Sequence, residues 1–223
     1  MVYTDEGEPD SMAVSIFFRS VEELRDVDRE ALSLVRGRVL DVGAGVGSVA
    51  LTLQDRGVDV TAVEIIPEAV DIMVQRGVRG AWLGRVQDLS PSKAFDTVLL
   101  LMNGAALAGT LAGFPPLLGV LDGLVAPGGQ ILMDSTDLLQ AGVDQAESSG
   151  VEEGGYPGEL HYQMEFRGER GAPFPQLFID PETLEAAAAA EGWVTTLVWK
   201  EEEGGFLAKL TRASTPFQSS HKG

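Results

Sequence analysis

The chain has 223 residues, enough to bury a full core as one domain. It carries 34 acidic residues against 16 basic ones, a net charge of -18 that repels phosphate backbones and anionic lipid heads. Neither nucleic acid nor a membrane surface is therefore an expected partner. The absence of cysteine excludes disulfides, zinc–thiolate sites, iron–sulfur clusters and thiol nucleophiles, and His161 and His221 are too few for a histidine-rich metal site.

Met1–Asp10 is acidic, with Gly and Pro, and reads as a mobile tail. It is unlike a secretory or mitochondrial leader, and no run of about 18 apolar residues suggests a membrane span, so the cytoplasm is the expected compartment. In Ser11–Val35, Val21, Leu24, Leu32 and Val35 recur at helical spacing. Phe17, Phe18 and Arg19 lie near its start and suit either a lid over a ligand or a core staple with a surface Arg.

From Arg38 onward strands and helices alternate. Val39–Val42 is a short apolar strand, followed by glycines and a helix, Val46–Arg56, that Gly57 closes. Val58–Glu64 reads as a strand, Pro67 opens a helix that Gly77 stops, and Gly80–Leu83 is a brief strand. Thr97–Leu101 is continuously apolar, as a strand covered on both faces must be. Pro116–Val125 reads as a helix, and Pro127-Gly128-Gly129 turns the chain into the strand Gln130–Asp134. This alternation predicts a doubly wound, Rossmann-like, mostly parallel α/β sheet, with ligands outside the carboxyl ends of the strands.

Asp137–Glu159 is rich in Gly, Ser and acids and reads as irregular. Leu160–Arg167 alternates cleanly and predicts one added strand, so 137–170 is an insertion into a single domain spanning 11–212. Asp180-Pro181-Glu182 is a helix start, and Gly192 ends that helix. Trp193–Lys200 and Gly205–Arg212 are two strands whose short acidic connection requires an antiparallel hairpin, the last of seven sheet strands. Ala213–Gly223 is a polar tail.

Arg38–Leu51 reads RVLDVGAGVGSVAL. Gly43, Gly45 and Gly47 let the backbone turn tightly and let a ligand approach amides that a Cβ would shield. The helix N-terminus beyond adds donors suited to a carboxylate or phosphate. Dinucleotide enzymes use G-x-G-x-x-G or A at this place. Counting from Gly43 the third position is Ser48, which fails; counting from Gly45 it is Ala50, which passes loosely.

Asp41-Val42-Gly43-Ala44-Gly45-Val46-Gly47 resembles the first motif of class I S-adenosylmethionine-dependent methyltransferases. The resemblance runs over Arg38–Asp134 and Asp180–Arg212, terminal hairpin included, and Asn103–Gly109 resembles a small bacterial branch whose acceptors are unassigned. It implies S-adenosyl-L-methionine as cofactor and S-adenosyl-L-homocysteine as product. Gly43, Ala44, Gly45 and Gly47 would run beneath the cofactor, with Asp41 either ordering the loop or meeting the ammonium. Glu64, with Ile65 after it, would take both ribose hydroxyls, and Asp88 would accept from the adenine amino group. Leu89 or Val86 would pack on the adenine face or in the core.

Methyl transfer from a sulfonium mainly needs alignment and exclusion of water. The reaction centre falls at Leu101-Met102-Asn103-Gly104, where Met102 and Asn103 would border the cofactor and Asn103 would bind the acceptor or cap the loop. It does not extend into the Asn/Asp-Pro-Pro-aromatic pattern of the amino-methylating DNA and glutamine enzymes. His161 is the candidate base, with a solvated surface histidine as its alternative, and Glu165 and Tyr162 stand behind it. A small-molecule acceptor is the leading expectation. A cofactor-binding protein without catalysis and a nicotinamide-dependent oxidoreductase are the alternatives.

Overall fold

A computed structural model describes residues 1–4, 8–91, 95–142 and 155–213. Its strands are β1 (Val2–Thr4), β2 (Val39–Val42), β3 (Val60–Glu64), β4 (Ala81–Leu83), β5 (Phe95–Leu100), β6 (Val125–Thr136), β7 (Glu159–Phe166), β8 (Glu169–Arg170), β9 (Phe174–Leu177), β10 (Trp193–Lys200) and β11 (Gly205–Arg212). Its α-helices are α1 (Asp26–Leu34), α2 (Ser48–Asp55), α3 (Pro67–Arg76), α4 (Phe114–Asp122) and α5 (Pro181–Ala190).

The main sheet has seven strands in the order β10-β11-β6-β5-β2-β3-β4. β4, β3, β2, β5 and β6 run parallel, while β11 is antiparallel to both β6 and β10. The order reverses at β2, so the glycine turn after β2 opens at the switch point where α/β sheets bind ligands. The Rossmann-like sheet and its terminal hairpin match the sequence expectation.

Strand alternation sorts the core into two layers. Leu40, Val98, Leu100, Ile131 and Met133 meet α4 and α5, with Phe114, Leu118 and Trp193 fully buried among them. Val39, Leu99 and Leu132 meet α1, α2 and α3 through Leu32, Leu53 and Met73. By the same alternation Asp41 in β2 and Asp134 in β6 point to the α1–α3 side. Both are buried polar groups at the carboxyl edge of the sheet.

Three expectations are corrected. Ser11–Val35 is not one helix: 3-10 turns occupy Val14–Phe17 and Val21–Glu23, and α1 begins only at Asp26. Among the apolar residues that suggested the longer helix, Val21 is exposed while Leu24 is buried just ahead of α1. The first residues are not a free tail, because β1 pairs antiparallel with β7 (Val2 opposite Met164). The single added strand is instead the centre of a second, four-stranded sheet, with β1 on one edge and β8 and β9 on the other. The irregular segment expected over 137–159 falls largely outside the described residues, as do most of the C-terminal tail and residues 5–7 of the N-terminal one.

Candidate active site

The glycine turn is fixed by its backbone. The Gly43 and Ala44 N–H groups both donate to the Val63 carbonyl, at 2.9 and 3.0 Å, binding the turn to β3. Gly47 has φ +82°, and a Cβ there would lie 2.7 Å from Val78 Cγ2 and 2.9 Å from Met73 Cγ. Only glycine supplies both that conformation and that clearance. The helix consequently starts at Ser48 rather than Val46. Arg76 clamps this start: its Nη1 donates to the Val46 carbonyl (2.6 Å) and Ser48 Oγ (3.2 Å), and its guanidinium lies 5.4 Å from the Phe18 ring centroid. Ser48 Oγ in turn donates to the Phe17 carbonyl at 2.9 Å. Phe17 and Phe18 therefore cross the start of α2 and remain partly exposed.

Glu64 ends β3 with its carboxylate tied to backbone. Oε2 accepts from Gly45 N–H at 2.9 Å, and Oε1 accepts from Ile65 and Ile66 N–H at 2.8 and 3.0 Å. A carboxylate offers about four lone-pair sites, so roughly one remains for a ligand. That carboxylate lines a cleft of about 430 Å³ across the ends of β2, β3 and β4. Gly43 and Glu64 line it at the ends of β2 and β3. Ile65, Ile66, Leu107 and Leu117 give it apolar lining, and Gly84–Gln87, which follow β4, line it at the β4 end.

Beside the glycine turn lies a buried acid cluster. Asp41 is 3% exposed, and its Oδ2 has no hydrogen-bond partner among the described residues. Burial, with the negative charges of Asp28 and Glu64, pushes its carboxyl up to about 7. Asp28 and Asp134 are also buried, with Arg25 between them. Arg25 Nε is 2.9 Å from Asp28 Oδ2, and its Nη2 is 2.9 Å from Asp134 Oδ2. Burial works against the guanidinium charge, but the two carboxylates more than offset it. Asp134 is held above the usual carboxylate range by burial, although Arg25 and the Gly104 N–H pull the other way. Arg19 adds a longer contact to Asp28 at 3.5 Å.

At the end of β5, Met102 and Asn103 both take left-handed backbone (φ +63° and +61°). Such conformations cost non-glycine residues about 1 kcal/mol or more each and persist only where neighbours impose them. The neighbours here are three. Asn103 Nδ2 donates to the Leu177 carbonyl (3.1 Å), Ser135 Oγ donates to Asn103 Oδ1 (3.2 Å), and Gly104 N–H donates to Asp134 Oδ1 (3.2 Å). β9 also packs on the turn Gly104–Ala108, fastening the small sheet to this loop. Met102 and Leu107 are left 41% and 46% exposed, the apolar surface facing out from the end of β5.

The expected residues thus divide. Gly43, Glu64 and Ile65 line the cleft; Ala44, Gly45 and Gly47 shape its turn; Asp41 lies buried behind it. Asp88 is exposed and turned back, its Oδ2 accepting the Arg85 N–H at 3.3 Å in a short 3-10 turn. Arg85 and Gln87 line the cleft where Asp88 was expected. Val86 faces the cleft, and Leu89 packs in the core. Asn103 spends its amide on the protein. His161 is exposed on β7, opposite Pro175, and does not border the cleft. The sequence reading missed Arg25, Asp28 and Asp134. For Asp134 the signal was present, since an acid closing an apolar strand is what singled out Glu64.

The methyltransferase-domain family model matches residues 18–196. A S-adenosylmethionine-dependent methyltransferase from Bacteroides fragilis, solved with S-adenosyl-L-homocysteine, is 34% identical with a TM-score of 0.83, covering 95% of this chain and 86% of that one. The CcbJ methyltransferase from Streptomyces caelestis shares the fold at 18% identity and a TM-score of 0.64, over 84% of this chain and 94% of its own. CalS10, an amino pentose methyltransferase from Micromonospora echinaspora solved with S-adenosylmethionine, shares it at 21% identity and a TM-score of 0.53, over 83% and 88%. No curated protein sequence matches the chain significantly. No helix among the described residues is long and apolar enough to cross a membrane. Glycine turn, strand-end acid, strand order and family match agree, and the chain belongs to the class I S-adenosylmethionine-dependent methyltransferase superfamily.

Proposed function

We propose that the chain transfers the methyl group of S-adenosyl-L-methionine to an oxygen or nitrogen nucleophile of a small-molecule acceptor, leaving S-adenosyl-L-homocysteine. The observation that carries this reading is the pairing of two differently prepared acids around one glycine turn. Asp41 has a buried oxygen with no donor among the described residues, which the α-ammonium of the cofactor would supply. Glu64 keeps about one lone-pair site toward the cleft for a ribose hydroxyl. A second hydroxyl would be taken in exchange for the Ile66 N–H, the longer of its two bonds at Oε1. Ile65, Ile66 and Val86 give the purine apolar walls.

When bound, the cofactor supplies an already electrophilic methyl, so the protein's own task is alignment. The strained Met102–Asn103 pair, fixed by Asp134, Ser135 and Leu177, makes a rigid rim at the end of β5. The acceptor would lie against Met102 and Leu107, with its nucleophile directed toward the methyl. Asn103 serves as a strut there rather than a proton acceptor, because both its amide atoms are engaged.

The same observation favours one second reading, a protein that binds the cofactor without turnover. Thermal shift and labelled turnover separate the cases. Stabilisation by S-adenosyl-L-homocysteine but not by NAD or NADP supports the cofactor, and the reverse refutes it. A labelled product from methyl-labelled cofactor and a metabolite extract supports the enzyme. Binding without any labelled product would favour the second reading.

A further inference from the structure

The cleft continues from Glu64 to the residues that follow β4, whose Leu83 pairs with Glu64, and the base of a nucleoside held by its ribose at Glu64 would lie there. A purine edge there presents a hydrogen-bond donor beside an acceptor: the 6-amino group and N1 in adenine, N1–H and O6 in hypoxanthine. A side chain that matches such an edge adds affinity and selectivity there, because it satisfies both groups at once.

Three polar side chains stand at or near the β4 end, and chemistry separates them. Asp88 has turned its carboxylate onto the Arg85 N–H and lies exposed outside the cleft. Arg85 lines the cleft but its guanidinium only donates, so it cannot accept from an amino group. Gln87 lines the cleft, carries a donor and an acceptor on one planar amide, and makes no hydrogen bond with the described residues. Glu64, the other polar side chain lining the cleft, only accepts and is tied at the ribose position.

We infer that Gln87 reads the Watson–Crick edge of the cofactor's purine, in place of the acid at Asp88. A carboxamide pairs with adenine by accepting from the 6-amino group through Oε1 and donating to N1 through Nε2. Turned over about its last torsion, it pairs equally with a 6-oxo purine, donating to O6 and accepting from N1–H. A fixed carboxylate could not make both pairs. The site should therefore accept a 6-oxo purine nucleoside thioether as well as the 6-amino one.

The inference rests on the cofactor reading above, and the controls keep the two apart. Isothermal titration would compare S-adenosyl-L-homocysteine with S-inosyl-L-homocysteine on wild type, Gln87→Met and Asp88→Asn. Wild type should bind both ligands within about fivefold. Gln87→Met, apolar and of similar length, should weaken both by about tenfold, the worth of one or two neutral hydrogen bonds. Asp88→Asn should leave both unchanged, since Asn can still accept the Arg85 N–H. Failure of wild type to bind S-adenosyl-L-homocysteine would sink the cofactor reading and this inference together. If wild type binds it, an unchanged Gln87→Met affinity, a tenfold loss in Asp88→Asn, or rejection of the inosyl ligand by more than about thirtyfold would each overturn Gln87 alone. Gln87 is exposed, so the variant's thermal midpoint should stay at the wild-type value, excluding misfolding as the cause.

Discussion

Asp41→Asn tests how much strain the site stores in its buried acid. In the folded chain the carboxyl is raised from 3.8 to about 7, chiefly by burial and then by Asp28 and Glu64. Below 3.8 both folded and unfolded chains hold the proton, and Asp41 adds no pH dependence. Between 3.8 and about 7 the folded chain keeps a proton that the unfolded chain has lost, so stability falls as pH rises. Above about 7 the full cost is present, about 4 kcal/mol at roughly 1.4 kcal/mol per pH unit. Asparagine carries no charge and escapes this dependence. Comparing wild type with Asp41→Asn at pH 5 and at pH 8 cancels the pH-independent cost of the substitution. Urea unfolding should show wild type losing about 3 kcal/mol relative to the variant over that range. Equal pH responses of the two proteins would refute a raised Asp41 and, with it, the argument from its unpartnered oxygen.

Three other substitutions probe the surrounding frame. Glu64→Gln should weaken binding of S-adenosyl-L-homocysteine by roughly tenfold to a hundredfold in titration calorimetry, since a charge-assisted bond of about 1.5–3 kcal/mol is lost. Gly47→Ala places a Cβ against Val78 and Met73 at φ +82° and should lower stability by about 2 kcal/mol or more, read from chemical denaturation. Arg25→Met leaves Asp28 and Asp134 buried without their cation and should cost about 3–5 kcal/mol at pH 8 in the same assay. The Arg25→Met loss should shrink as pH falls, since burial favours the protonated form of Asp134 once its cation is gone.

The main sheet was legible because each strand announces itself locally. Val39–Val42 coincides with β2, and Trp193–Lys200 and Gly205–Arg212 coincide with β10 and β11, since short apolar or alternating runs bounded by Gly and acids admit little else. The small sheet was half legible: β7 shows in its alternation, but its pairing with Val2–Thr4 joins residues some 160 apart, a register that no local pattern encodes. The N-terminal segment misled because its apolar spacing fits a helix, whereas Ser20 and Glu23 cap a separate turn. Asp88 and Gln87 differ only in side-chain direction on a 3-10 turn, which spacing does not fix.

The buried acids also bear on how binding responds to pH. Asp28, Asp41, Glu64 and Asp134 gather at one edge of the sheet, and the Arg25 guanidinium bridges only Asp28 and Asp134. Asp41 has no counter-charge among the described residues, so below about 7 a cationic ligand group must displace its proton. Affinity for S-adenosyl-L-homocysteine should then rise by about tenfold per pH unit from 5 to 7 and level off above. Titration in buffers of different ionisation enthalpy should register the released proton at pH 6 and none at pH 8. In Asp41→Asn the slope should vanish while Glu64 and the glycine turn keep residual binding. A slope that survived in that variant would move the proton to another group, and Asp134 is the next buried acid to test.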